Sequence, residues 1–122
     1  MLNLQEFYSV IGEDYNEVLS RLPSEKLLMK VLKMYLSDPS YDSLCQSFAK
    51  GLIKDSFNAV HSLKGVAGNL GFSALAQKSS VLCEALRHAD VMPDKKLFDE
   101  VVEAHQKVVK ALAELFSDKL ND

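Results

Sequence analysis

A helical period broken only by glycine and proline constrains this chain more than any other feature. Apolar residues return at three- and four-residue intervals, and no segment sustains the two-residue alternation of a half-buried strand. The breaks fall at Gly12, Pro23, Pro39, Gly51, Gly71 and Pro93. They predict helices over 4–11, 14–22, 25–36, 40–50, 53–70, 74–89 and 93–117. Ser24 is placed to cap the third and Ser73 the sixth. Gly51 suits the position after the fourth, and Pro93 the first turn of the last. Amphipathic helices joined by short turns predict an all-α fold. Its form is an antiparallel four-helix bundle with additional short N-terminal helices. A helical leader over 1–23 and a bundle core over 24–118 make a single domain within 122 residues.

Composition narrows the function classes. Hydrophobic residues make up 48% and charged residues 25%, as in an ordinary globular chain rather than a disordered one. With 14 Lys and Arg against 17 Asp and Glu, the net charge of −3 gives no basic face for nucleic acid. No apolar run reaches the roughly 18–20 residues of a membrane span. The start, Met1-Leu2-Asn3-Leu4-Gln5-Glu6, lacks the basic and apolar regions of a secretory signal. Cys45 and Cys83 form no metal or redox motif and fit helical patterns as small hydrophobes. A cytoplasmic protein with reduced thiols is expected.

The central helix carries the chemistry. Val60, Leu63, Ala67 and Leu70 form its apolar seam. Beside that seam, His61, Lys64, Gly65 and Gly68 follow the i, i+3, i+4, i+7 spacing of one face. Each interior glycine costs a helix roughly 0.8–1 kcal/mol against alanine. Two of them beside an imidazole and an ammonium point to a surface kept bare for a large partner, the alternative being tight packing against a neighbouring helix. An imidazole with an unperturbed pKa of about 6.5 is a competent phosphoryl nucleophile near neutral pH. Phosphoryl transfer rests on in-line positioning and charge stabilisation. Lys64 supplies a mobile point charge one turn away.

The stretch Val60-His61-Ser62-Leu63-Lys64-Gly65-Val66-Ala67-Gly68-Asn69-Leu70-Gly71 resembles the histidine-containing phosphotransfer (HPt) domains of two-component phosphorelays. The pattern His-x-x-Lys-Gly, with a glycine six residues further on, is met by His61, Lys64, Gly65 and Gly71. The likeness runs from about Asp14 to Leu115, including the leader-like Asn16-Glu17-Val18-Leu19-Ser20-Arg21-Leu22. It implies that His61 accepts a phosphoryl group through Nε2 from a receiver-domain aspartate and passes it to another. Lys64 would stabilise that group, and Gly65 and Gly68 would admit the receiver. The partners implied are receiver domains of response regulators or hybrid histidine kinases. No cofactor or metal of the chain's own is implied, since Mg2+ belongs to the receiver. Many members carry Gln or Glu where this chain has Cys83, so hydrogen-bond support for the imidazole is either missing or supplied by Glu84. Arg87 stands where some members place a basic residue. The family's frequent Gly-Asp before the central helix is here Gly51-Leu52, leaving Asp55 in the first turn to favour the helix dipole.

Phe57, one turn before His61, is either core or part of a docking patch. His88 is expected to pair with Glu84 on a helix surface, His105 to be a plain surface residue and Phe72 to close one end of the bundle. A monomeric phosphorelay carrier without an ATP site is the leading expectation. The alternative is a receiver-binding module that accepts no phosphate. A kinase is disfavoured because no Gly-rich nucleotide loop occurs. A hydrolase is disfavoured because no nucleophile triad or paired carboxylates are placed. Met1 and the polar end Asn121-Asp122 favour a free-standing carrier.

Overall fold

Every stretch of regular structure among the described residues is helical, and no strand occurs among them. The computed structural model describes residues 2–117; Met1 and 118–122, with the Asn121-Asp122 end, lie outside the described residues. The helices are α1 (Leu4–Val10), α2 (Tyr15–Ser20), α3 (Glu25–Tyr35), α4 (Ser40–Ala49), α5 (Ile53–Asn69), α6 (Ser73–Leu86) and α7 (Lys95–Leu115). Gly12, Gly51 and Gly71 all adopt positive φ, as the turns closing α1, α4 and α5 demand.

Helices α1, α2, α3 and α7 start on side-chain caps, of which Ser24 was expected. The Ser24 side chain accepts from the Leu27 N–H at 3.2 Å, and Asn3 and Glu6 form a reciprocal capping box. Two starts differ from expectation. Ser73 is the first residue of α6 rather than its cap. The carboxylate of distant Glu13 takes the Ala74 N–H instead, at 3.0 Å. Helix α7 begins at Lys95, because Asp94 accepts from the Lys96 N–H at 2.9 Å and caps more effectively than Pro93 could open the helix. As expected, the position before α5, Leu52, offers no side-chain cap, and Asp55 lies in the first turn.

The bundle is a closed ring of α4, α5, α6 and α7. Helix α5 packs along both α4 and α6, and α6 packs along α7. Phe48 stacks on Phe98 at 4.5 Å between centroids, which brings α4 against α7 and completes the ring. The predicted seam of α5 is buried, at Val60, Leu63, Ala67 and Leu70, and α6 buries Leu75, Ser79, Leu82 and Leu86. Helices α1–α3 extend the same continuous core. Phe7, Tyr8 and Val18 are fully buried at the end of the bundle, with Phe72 edge-on to Phe7. The Tyr8 hydroxyl donates to the Leu70 carbonyl at 2.7 Å, fastening α1 to the end of α5. A Cβ on Gly71 would lie 2.1 Å from Val18 Cγ2, so this glycine is required by packing as well as by its φ of +78°.

His105 is not a plain surface residue. Its Nδ1 lies 2.7 Å from the Tyr35 hydroxyl. Its ring stacks on Tyr41 at 3.4 Å between centroids and 13° between planes. This joins α3, α4 and α7 through one half-buried imidazole. Burial lowers its pKa to about 4, opposed weakly by Asp42, so the ring is neutral near pH 7. The neutral ring shares one hydrogen bond with the Tyr35 phenol at Nδ1, its direction set by the tautomer. No helix among the described residues is long and apolar enough to cross a membrane.

Candidate functional site

Helix α5 turns its seam inward and leaves a stripe outside. Ser56, Ala59, Val60, Leu63 and Ala67 are buried, while His61 and Gly65 are exposed and Phe57, Lys64 and Gly68 half-buried. The stripe borders α6 on one side. A Cβ added at Gly65 or Gly68 would meet nothing within 4 Å. Neither glycine makes room for a neighbouring helix, so both keep an outer surface low. Their helix-propensity penalty is balanced by no packing gain in the free chain.

The His61 ring lies parallel to Phe57, with centroids 6.0 Å apart and planes 11° from each other. The Arg87 guanidinium sits 5.1 Å from the Phe57 centroid. Arg87 is itself held by Glu84, with Nη2 to Oε1 at 3.1 Å and Nε to both carboxylate oxygens at 3.3 Å. Glu84, Arg87, Phe57 and His61 therefore form a continuous row across the α5–α6 groove. The hydrogen bonds from Arg87 and its charge, with Lys64 and His88 contributing, hold the Glu84 carboxyl below the usual carboxylate range.

Cys83 and Glu84 do not fill the place of a hydrogen-bonding partner for His61. Cys83 is wholly buried in α6, and burial pushes its thiol pKa up, against the opposing charges of Arg87 and Lys64. Glu84 spends its oxygens on Arg87. Among the described residues no side chain hydrogen-bonds the His61 ring, and its oriented contact is Phe57.

The expected pairing of His88 with Glu84 is replaced, because α6 stops at Leu86, three residues short of its predicted end. Arg87 at φ −64° and ψ 121° is followed by His88 at φ +58°. The Ala89 N–H returns to the Leu86 carbonyl at 3.2 Å. This is the type II turn pattern, whose third residue is ordinarily glycine. His88 thus leaves the helix surface, and Arg87, one turn after Glu84, takes the carboxylate.

Two cations not singled out in the sequence share this side of the molecule. The Arg21 guanidinium reaches the Gly68 carbonyl at 3.5 Å from α2. Lys54 lines a cleft with Phe57 and Arg87. Lys54 was legible in principle, standing seven residues before His61 and so on the same helical face. No local pattern marks Arg21, which arrives through tertiary packing.

The Hpt domain family model matches the chain over residues 37–117, more than half of its length. The chain belongs to the Hpt family. Hpt domains are the histidine phosphotransfer modules of two-component phosphorelays, and they interact with receiver domains. No curated protein and no solved structure gives a significant match. The Hpt match covers the ring α4–α7 and leaves α1–α3 outside it, so the likeness expected from Asp14 is carried from residue 37 onward.

Proposed function

We propose that this Hpt protein is a phosphorelay carrier in which His61 is the phosphoacceptor. The observation that carries the reading is the exposed His61 ring on a rigid helix, with nothing within 4 Å of the Cβ positions of Gly65 and Gly68 beside it. A phosphoryl donor borne on a second protein must bring its phosphorus within about 3–3.5 Å of the attacking nitrogen. A side chain projecting from either glycine would hold that protein off.

In the forward step the lone pair of His61 Nε2 attacks the phosphorus of an aspartyl phosphate on the receiver. The N–P bond forms as the P–O bond to aspartate breaks, and the aspartate departs as carboxylate. The imidazole sheds its Nδ1 proton to water. Transfer to a second receiver runs the same exchange in reverse. Lys64 offsets the charge on the phosphoryl oxygens as they pass. Gly65 and Gly68 admit the receiver, and Phe57 and Arg87 lie within its footprint. Cys83 gives the ring no hydrogen bond, so Phe57 supplies its orientation and Glu84 acts by holding Arg87 over Phe57. The chain needs no cofactor or metal of its own, since Mg2+ works in the receiver. We read it as a cytoplasmic monomer without an ATP site.

The test is label transfer from a receiver domain charged with radiolabelled phosphate. Wild type acquires acid-labile, base-stable label and His61→Gln acquires none. Equal labelling of the two would refute the reading. Firm receiver binding by both, without label on either, would favour the non-accepting interaction module.

A further inference from the structure

Next to Phe57, on the side away from Lys64, lies an open cleft of about 300 Å3 between the start of α5 and the end of α6. Its floor is apolar: Ile53, Phe57, Leu86 and Ala89. Its rim carries Lys54, Arg87 and His88. The left-handed His88 closes α6 early and so shapes the wall of the cleft. Backbone strain of this kind concentrates where a surface is shaped for use.

We propose that this cleft is a docking pocket for an apolar side chain of the phosphoryl-bearing receiver, seated between His61 and the turn Arg87–His88. The inference rests on His61 being the phosphoacceptor. A stable interface buries about 800 Å2 on each partner, a patch of roughly 16 Å radius. The Phe57 ring is only 6.0 Å from the His61 ring, so a receiver centred on His61 covers Phe57 and the cleft it lines. Once covered, an apolar cleft of this size is either filled by an apolar group or left as a void that forfeits its contacts. The cationic rim defines the rest of the occupant. A surface presenting a phosphorylated carboxylate is anionic, which suits Lys54, whose charge is not offset by an ion pair among the described residues as that of Arg87 is by Glu84. The residue entering the cleft is thus apolar and flanked by acidic groups.

A second cleft of about 310 Å3 lies between α3 and the end of α5, lined in part by Leu22, Val31, Met34 and Val66. It has no cationic rim and carries Asp38, so it lacks the charge that an anionic donor selects.

The experiment compares two donors. One is a receiver domain charged with acetyl phosphate and able to transfer to the wild-type chain. The other is phosphoramidate, a small donor whose phosphorus joins the imidazole nitrogen as ammonia leaves, with no protein surface to dock. Ala89→Phe fills the cleft from a loop position, and Lys54→Glu reverses the rim charge on an exposed residue. The ratio of receiver-driven to phosphoramidate-driven labelling should fall about tenfold in the first and about threefold in the second, through KM for the receiver. Wild-type KM in both variants would overturn the proposal, as would a loss in Met34→Lys without one in Ala89→Phe. Labelling of His61→Gln by the receiver would instead remove the phosphoacceptor reading, and the pocket with it.

Discussion

Gly65 and Gly71 stand six residues apart and carry opposite loads. The first is helical with open space over its Cα, and the second is left-handed with Val18 pressed against it. Gly65→Ala should raise stability by about 0.5–1 kcal/mol while slowing phosphoryl transfer from a receiver. Gly71→Ala should lower stability by about 2–4 kcal/mol, from the strained φ and the clash together. Urea unfolding of the two variants checks both signs. His105 carries a different prediction. Its folded pKa of about 4 lies below the ordinary 6.5. Between those values the unfolded chain binds a proton that the folded chain excludes, so stability is full above about pH 6.5 and declines towards pH 4. The loss should be about 1–2 kcal/mol, reduced by the solvent reaching a half-buried ring. Thermal melts of His105→Phe across this range should lack that decline. The stripe of His61, Lys64, Gly65 and Gly68 was legible because its members are neighbours in sequence as well as on the helix. His105 was not, because Tyr35 and Tyr41 reach it from α3 and α4 and leave no mark on the local pattern around it.

At the scale of elements, seven helices were legible because apolar period and punctuation agree at nearly every boundary. In each departure a side chain other than the expected one supplies the contact, and at α7 it is the neighbouring Asp94. Ser73 yields the capping of α6 to Glu13, which takes the amide of Ala74 sixty-one residues downstream of it. The early end of α6 accompanies a guanidinium drawn over Phe57 and onto Glu84. Glu13→Ala should therefore cost about 0.5–2 kcal/mol, the usual range for losing a cap. It should also speed hydrogen exchange at the Ala74 amide, far from the mutation in sequence. Exchange unchanged there would mean that the carboxylate contributes nothing to the start of α6.

For the whole molecule, the family match and the core have different extents. Residues 37–117 match the Hpt family, yet Phe7, Tyr8, Ile11, Val18, Leu28, Leu32 and Tyr35 from outside that stretch are buried in the common core. Burying a large apolar side chain contributes about 1.5–3 kcal/mol, and a domain retains only about 5–15 kcal/mol in all. Removing residues 1–23 should accordingly abolish the sharp thermal transition, although the ring α4–α7 keeps its sequence intact. A truncated chain that melts cooperatively near the wild-type temperature would show that the leader is merely appended. The sequence alone could place the leader before the bundle. Its attachment to the α5–α6 turn depends on Tyr8 and Val18 meeting Leu70 and Gly71, a long-range fit that no local pattern encodes.

The bare stripe on α5 has a consequence for signalling fidelity. A phosphoryl group on His61 would stand on an exposed helix face that no described residue covers, open to any receiver that can approach and to water as well. Insulation between pathways then cannot come from access to the histidine. It must come from how long each receiver stays, and so from contacts around the stripe rather than on it. Cross-talk in such a carrier is governed by residence time, and separate pathways can diverge by altering the rim while the reacting centre stays the same.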